Sequence, residues 1–293
     1  MPPLVSILIV TWNRKADLVR SISSALAQTL TDKEVVVVDN ASSDGTAELV
    51  ARDFPQIRLI RSHRNLGCPS GRNLGVANCR GKYVYMLDDD GWLKDDAVEV
   101  SLRRIVSDES IAVVMSAIHE VQDGKAVRVC PEGLTEPAYR HSFVGCCAMV
   151  RKDDFDRAGC FPDDFFRQGE ENDLAIRLLE AGKFCFFEPA SVMYHAPSPV
   201  GRDLGKFLYY ALRNTNKTCL RHWPPGLGAL KILGNYRHAF AAVFTRGKPA
   251  MPLRLTGSLV RDICLLRGRR KPVSRRTLRL YLRLQKRPSQ SRP

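Results

Sequence analysis

A short apolar run that breaks into three consecutive acids most constrains how this chain can fold. In Lys82-Tyr83-Val84-Tyr85-Met86-Leu87-Asp88-Asp89-Asp90-Gly91, aromatic and branched residues from Tyr83 to Leu87 lie between Gly81 and the acidic triplet. Such a run predicts a buried strand whose carboxyl end delivers three carboxylates into a turn. Three like charges that close repel, so a fold keeps them together only with compensation, from a divalent cation or from plain solvent. A solvated acidic turn satisfies the local pattern as well. Position favours a site, because open α/β sheets place their ligands at the carboxyl ends of central strands.

The 293 residues suit one large domain, or one domain with an appendage, and a 44% hydrophobic content suffices for a sizeable core. No apolar run approaches the roughly 18 residues of a membrane span. The opening Met1-Pro2-Pro3-Leu4-Val5-Ser6-Ile7 lacks a basic n-region and runs into a strand-like segment, so it does not read as a signal peptide. Nine cysteines, an odd number without any Cys-x-x-Cys, predict free thiols in a reducing compartment and argue against a zinc site or disulfide frame. The net charge of +14 is unevenly spread. Residues 201–293 carry 22 Lys and Arg against two acids, Asp203 and Asp262, whereas the first 200 residues carry 23 against 29. An acidic body with a basic tail predicts two different jobs.

Strand and helix alternate three times before the triplet. Val5 to Val10 reads as a strand, Asn13 as the cap of a helix to about Gln28, and Val35 to Val38 as a strand buried on both faces. A polar loop from Asp39 enters a helix at about Thr46 to Arg52, Ile57 to Ile60 is a third strand, and Ser70-Gly71-Arg72-Asn73 opens a helix to about Asn78. The alternation predicts a parallel sheet with helices on both faces. Its polar clusters then converge on one edge, forming a nucleotide-sized crevice. None matches Gly-x-Gly-x-x-Gly or a P-loop, which excludes the usual dinucleotide and P-loop patterns. Further on come a helix over about Lys94 to Val106, a strand over Ile111 to Ile118, and a hairpin at Asp123-Gly124. The small-residue run Phe143 to Val150 has two cysteines that suit packing. Gly169-Glu170-Glu171-Asn172-Asp173 opens a helix with Leu174, Leu178 and Ala181 on one face, ended by Gly182. Ser191 to Pro197 closes the segment with His195.

In this order and spacing, six clusters make the chain resemble a family-2 glycosyltransferase of GT-A fold over about residues 4–200. They are Val10-Thr11-Trp12-Asn13-Arg14, Val38 to Thr46, Asn65-Leu66-Gly67 with Arg72-Asn73, Leu87 to Asp90, Gly169 to Leu174, and Tyr194-His195. The resemblance implies a nucleoside-diphosphate sugar bound by the first half and an acceptor by the second. Thr11, Asn13 and Arg14 would flank the nucleotide and Asp39 its base, with Asp44, Asn65, Arg72, Asn73, Asp88 and Asp89 shaping the donor site. Asp90, with Asp88 and His195, would hold Mn²⁺ or Mg²⁺. Glu171 would be the base, Glu170 its partner in the acidic pair, and Gly145 and Asp173 would lie on the acceptor side. The usual second acid is Asp, and here it is one methylene longer. Elementary chemistry agrees: a leaving diphosphate needs neutralising, and an attacking hydroxyl needs a carboxylate to take its proton. One base suffices for inversion.

Residues 201–293 are expected to form a basic helical extension. Apolar patches interleaved with Arg and Lys, densest from Arg267 to Arg287, suit an anionic membrane surface. Nucleic acid would meet the same charge but no recognised nucleic-acid module is present. The expected protein is cytoplasmic, peripheral on the inner face of the cell membrane, and acts on a glycan or lipid-linked acceptor of a surface polysaccharide. A sugar-phosphate nucleotidyltransferase shares the sheet but would carry a glycine-rich basic loop near the N-terminus. A non-catalytic nucleotide- or glycan-binding scaffold would be free to lose Asp90, Glu171 and His195.

Overall fold

Four parallel strands form the half of the sheet that ends in the acidic triplet. The computed structural model describes residues 1–131, 133–196, 203–246, 250–266 and 270–293. It places β1 (Val5–Thr11) between β2 (Lys33–Asp39) and β4 (Tyr83–Asp88), with β3 (Arg58–Arg61) outside β2. Thr11 pairs with Asp39 and Val10 with Asp88, so these strand ends reach one edge together. The crossovers are helices: α1 (Lys15–Leu26), α2 (Thr46–Asp53) and α3 (Cys68–Asn78). Alternation divides the core: Val5, Ile7 and Ile9 join the cluster containing Leu18 and Ile22 of α1, while Leu8 joins the one containing Val76 of α3. Both faces are covered, which is why Val35 to Val38 carries no polar residue.

The second half is β5 (Gly91–Leu93), α4 (Ala97–Ser107), β6 (Ile111–Gln122), β7 (Lys125–Cys130), β8 (Ala138–Arg140), β9 (Cys147–Arg151), α5 (Lys152–Arg157), α6 (Glu170–Glu180) and β10 (Phe184–His195). The sheet runs β3-β2-β1-β4-β9-β6-β10-β5, with β7 on β6 and β8 on β10. Strand β9 lies antiparallel between β4 and β6, so the sheet is mixed beyond β4. This brings Cys146 beside the triplet, where its carbonyl accepts the Asp88 N–H at 3.0 Å. Cys146 and Cys147 are buried free thiols, as their surroundings suggested.

Several local expectations change. Asn13 does not cap α1. It adopts φ +53°, which Asn tolerates, and its side-chain oxygen accepts the Ser43 N–H at 2.7 Å instead. The helix expected from Lys94 begins at Ala97, because Gly91–Leu93 pairs with the end of β10. A Cβ on Gly91 would run into the end of the Met193 side chain, so a larger residue at that crossing would require Met193 to move. Leu174 and Leu178 are buried, whereas Ala181 falls past the end of α6 and is exposed.

Among its described residues the basic segment forms four helices: α7 (Leu204–His222), α8 (Pro225–Arg246), α9 (Met251–Leu266) and α10 (Arg275–Lys286). Pro197 and Arg267 lie outside the described residues. No described helix is long and apolar enough to cross a membrane. Helices α7, α8 and α9 pack together, and α10 returns to α6 and β8. Leu278, Tyr281 and Leu284, at helical spacing, are buried in the same cluster as the sheet, so these tail leucines are core and not a membrane face. Ser274 caps α10 by accepting the Thr277 N–H at 3.1 Å, and Tyr281 donates to Asn172 at 3.2 Å. Leu278→Ala is therefore expected to destabilise the whole domain by ~2–4 kcal/mol in urea unfolding. Leu265→Ala, at a side chain 60% exposed, should change stability by less than ~0.5 kcal/mol.

Candidate active site

Each aspartate of the triplet has a cationic or imidazole neighbour. Arg14, just before α1, donates to Asp89 at 2.7 Å and to Asp90 at 2.9 Å. His195, at the end of β10, brings Nε2 to 3.0 Å from the other oxygen of Asp90. Asp88 takes Arg72 at 2.8 Å and keeps 34% of its side chain exposed, so it is the open member of the three. Asp89 is sealed: burial first, then the charges of Asp90 and Asp88, push its carboxyl up to about 7 against the pull of Arg14. Among the described residues, no three His, Cys, Asp or Glu groups converge as a metal cluster, and arginines stand among these carboxylates.

Arg72 joins the triplet to the acidic pair. It projects from α3 into a buried position, and its second nitrogen lies 3.4 Å from Glu170 and 3.8 Å from Glu171. Burial disfavours its charge, but Asp88, Glu170 and Glu171 outweigh that and hold the guanidinium fully ionised. Gly145 makes the approach possible. A Cβ there would sit 2.4 Å from the guanidinium and 2.8 Å from Glu171, while its N–H donates to Glu171 at 3.1 Å. The two acids then differ in surroundings. Glu171 keeps 18% of its side chain exposed. Glu170 is buried, with one carboxyl oxygen lacking a hydrogen-bond partner, and burial together with the Glu171 charge pushes it up to about 8.

The loops after β1 and β2 brace one another. Thr11 is buried at the end of β1, and Asp39 at the end of β2 accepts the Ser42 N–H at 3.2 Å. Asp44 accepts the N–H groups of Thr46 and Lys15, at 3.1 and 3.2 Å, thereby serving the first turns of both α2 and α1. Burial pushes the Asp44 carboxyl up, but the hydrogen bond from the Thr46 hydroxyl, with these two, prevails and holds it below the usual range. Asn65 accepts from Gly67 N–H at 2.9 Å and from Asn40, whose buried amide also binds Leu66 and Gly67. The role of Asn40 has no local sequence signal, because a buried amide that bridges two loops depends on partners more than twenty residues away.

Two expected site residues turn elsewhere. Asn73 binds the backbone of Phe161 and the side chain of Asp163, pinning the loop before α6 rather than facing the triplet. Asp173 faces α7, within 3.2 Å of His222, with Arg177 at 2.9 Å. Burial raises its carboxyl, yet His222, Arg177 and Arg221 prevail and keep it below the usual range. It fastens α6 to the extension.

The mixed sheet and the carboxylates gathered at the ends of its parallel strands define a GT-A-type α/β fold. Residues 6–159, more than half of the chain, match glycosyl transferase family 2, and the chain belongs to that family. Among curated relatives, the succinoglycan biosynthesis protein ExoO of Rhizobium meliloti (strain 1021) is 31% identical over 215 residues, covering 66% of this chain and 61% of that protein. Chondroitin synthase of Escherichia coli is 42% identical over 115 residues, covering 38% of this chain and 17% of that protein. The chain thus spans less than two thirds of the length of either. Among solved structures, S. aureus TarS 1-349 has a TM-score of 0.65 at 16% identity, covering 90% of this chain and 81% of that one. GalNAc-T7 with UDP, GalNAc and Mn²⁺ has 0.62 at 19%, covering 76% and 48%.

The burial of Glu170 has a measurable consequence. The folded protein holds its proton up to about pH 8, whereas the unfolded chain releases it near the ordinary value of 4.5. The native state thus binds the extra proton in that window, and stability falls as pH rises through it. Glu170→Gln removes the penalty. Its melting temperature is expected to match that of the wild type near pH 5 and to exceed it by about 2–6 °C at pH 9.

Proposed function

We propose that this chain moves a sugar from a nucleoside-diphosphate sugar to a hydroxyl of a glycan or lipid-linked acceptor, in one displacement with inversion. The observation that carries this reading is the single buried Arg72 touching both Asp88 and the acidic pair. Carboxylates suited to opposite jobs, donor binding and proton removal, lie one side chain apart. Glu171 is the base. Its carboxylate is oriented by the Gly145 N–H and is reachable from solvent, whereas Glu170 is sealed behind it. The acceptor hydroxyl gives its proton to Glu171 as its oxygen bonds the anomeric carbon; the bond to the diphosphate oxygen breaks, and the nucleoside diphosphate leaves with the electron pair. Attack opposite the leaving group inverts the anomeric centre.

Asp88, Asp90 and His195 offer two hard carboxylates and an imidazole, donor types that suit Mn²⁺ or Mg²⁺; Asp90 and His195 stand 3.0 Å apart, and Arg72 on Asp88 and Arg14 on Asp90 would have to yield for all three to share an ion. A cation held there would supply charge neutralisation to the departing diphosphate. Arg14 adds a fixed positive charge beside the same carboxylates. The UDP in the TarS complex and the UDP and Mn²⁺ in the GalNAc-T7 structure support a nucleotide and a divalent cation as partners. The loops of Asp39 and Asn65 would receive the nucleoside. The likeness to the succinoglycan protein supports a role in surface polysaccharide synthesis.

The extension supports attachment to an anionic membrane at the inner face. Leu227, Leu230, Leu233 and Phe240 of α8 and Leu253, Val260, Ile263 and Leu265 of α9 stay exposed within the strongly basic segment. Apolar contact with basic flanks is the combination that anionic bilayers bind. Full-length protein is expected to sediment with phosphatidylglycerol vesicles at low salt and much less with phosphatidylcholine vesicles. Leu230→Glu combined with Leu253→Glu should weaken that binding; equal sedimentation of wild type and variant would remove α8 and α9 from the contact.

Catalysis is tested by separating binding from turnover. Glu171→Gln keeps the shape and removes the proton acceptor, so turnover should fall by ~10² or more. Thermal stabilisation by nucleoside diphosphate with Mn²⁺ should persist in that variant. Asp90→Ala should lose both, and His195→Ala should lose them in part. Full turnover in excess chelator would sink the metal assignment, and near-normal turnover of Glu171→Gln would place the base elsewhere.

A further inference from the structure

The loop that leads into the acidic pair is held from behind by the extension. Asn214 of α7, fully buried, donates to the carbonyls of Arg167 and Gln168 at 2.8 and 2.6 Å. Arg221 holds Asp164 at 2.7 Å, and Phe165 is buried beneath the cations of Lys217 and Arg221. Gln168 and Gly169 both take left-handed backbone, at φ +67° and +86°. A non-glycine residue in that region persists only where its surroundings over-determine it, and such loops serve sites.

This fixed loop leaves one large apolar group outside, Phe166, 42% exposed. Its carbonyl accepts the Cys68 N–H at 2.9 Å, and its ring overlies Gly67, where a Cβ would fall 2.8 Å from the ring edge. The ring therefore spans the junction between the Asn65-Gly67 loop and the start of α6, four residues before Glu170. Tyr210 of α7 backs it, with centroids 6.0 Å apart and planes tilted by 32°. Tyr209 follows at 5.5 Å from Tyr210, and Arg254 of α9 lies 4.7 Å above Tyr209. Helices α7 and α9 thus back an aromatic ring that keeps 42% of its surface exposed.

A pyranose ring has an apolar C–H face that suits the electron-rich face of an aromatic ring, and a rigid platform binds it without an ordering cost. We propose that Phe166, backed by Tyr210, is the stacking platform for a pyranose ring of the acceptor, with a hydroxyl of that sugar turned toward Glu171. This rests on the glycosyltransferase reading and deepens it: the acceptor is a glycan at the point of attack, whatever carries it.

The test is saturation-transfer NMR on the full chain with UDP and Mn²⁺ present. The probes are the methyl glycosides of glucose, galactose and N-acetylglucosamine, and cellobiose. At least one probe is expected to receive saturation on the C–H protons of one ring face. Phe166→Ala should weaken its binding by roughly three- to tenfold, Tyr210→Ala by less, and Phe166→Trp should retain it. UDP affinity should stay within about twofold in all three variants. The proposal is overturned if no probe binds wild-type protein that binds UDP, or if Phe166→Ala leaves sugar binding unchanged. It is equally overturned if Phe166→Ala weakens UDP as much as sugar, which would make the ring a donor contact. Wild-type protein that binds no UDP-, GDP- or dTDP-sugar would instead sink the glycosyltransferase reading on which the proposal rests.

Discussion

The buried guanidinium of Arg72 is the interaction on which the site depends. Without it, the carboxylates of Asp88 and Glu171 would stand beside the buried Glu170 with no cation between them, and like charges repel. Removing one partner from a buried ion pair typically costs ~3–5 kcal/mol, because the remaining charge is left uncompensated. Arg72 also fixes distance. It comes from α3, in the parallel half of the sheet, and reaches acids at the start of α6 nearly one hundred residues later in the chain. Gly145 completes the arrangement by leaving room where any side chain would press on the guanidinium and on Glu171.

The same economy of charge runs through the helical extension. Its basic residues do not all face solvent. Lys217 is almost fully buried between Asp164 and Asp262, Arg221 holds Asp164, and His222 meets Asp173. These contacts use part of the positive excess to tie α7 to the loop and helix that carry the acidic pair. Together with Leu278, Tyr281 and Leu284 they make the extension a structural wall behind the acidic pair. The exposed apolar side chains of α8 and α9 lie on a different part of the same segment. One stretch of chain therefore serves both the site and an outward surface.

What the sequence determined by itself was local and periodic. Branched runs at Val5, Val35 and Tyr83, separated by amphipathic stretches, dictated the parallel half of the sheet, and strand ends then had to carry Thr11, Asp39 and the triplet to one edge. Spacing could also mark Gly169 to Asp173 as a helix start, because glycine in left-handed backbone before acids is a local preference. Tertiary structure decided the rest, since it depended on partners far away in the chain. Whether Asn73 and Asp173 faced the triplet or its supports turned on Phe161 and His222, and a sequence pattern carries no direction for a side chain. The tail leucines looked like a membrane face until α10 folded back on α6, because helical spacing reveals an apolar stripe but not what covers it. The unequal environments of Glu170 and Glu171 arose in the same way. Adjacent in sequence, they differ in burial because neighbouring helical residues point about 100° apart, and only the packed site determines which direction leads to solvent.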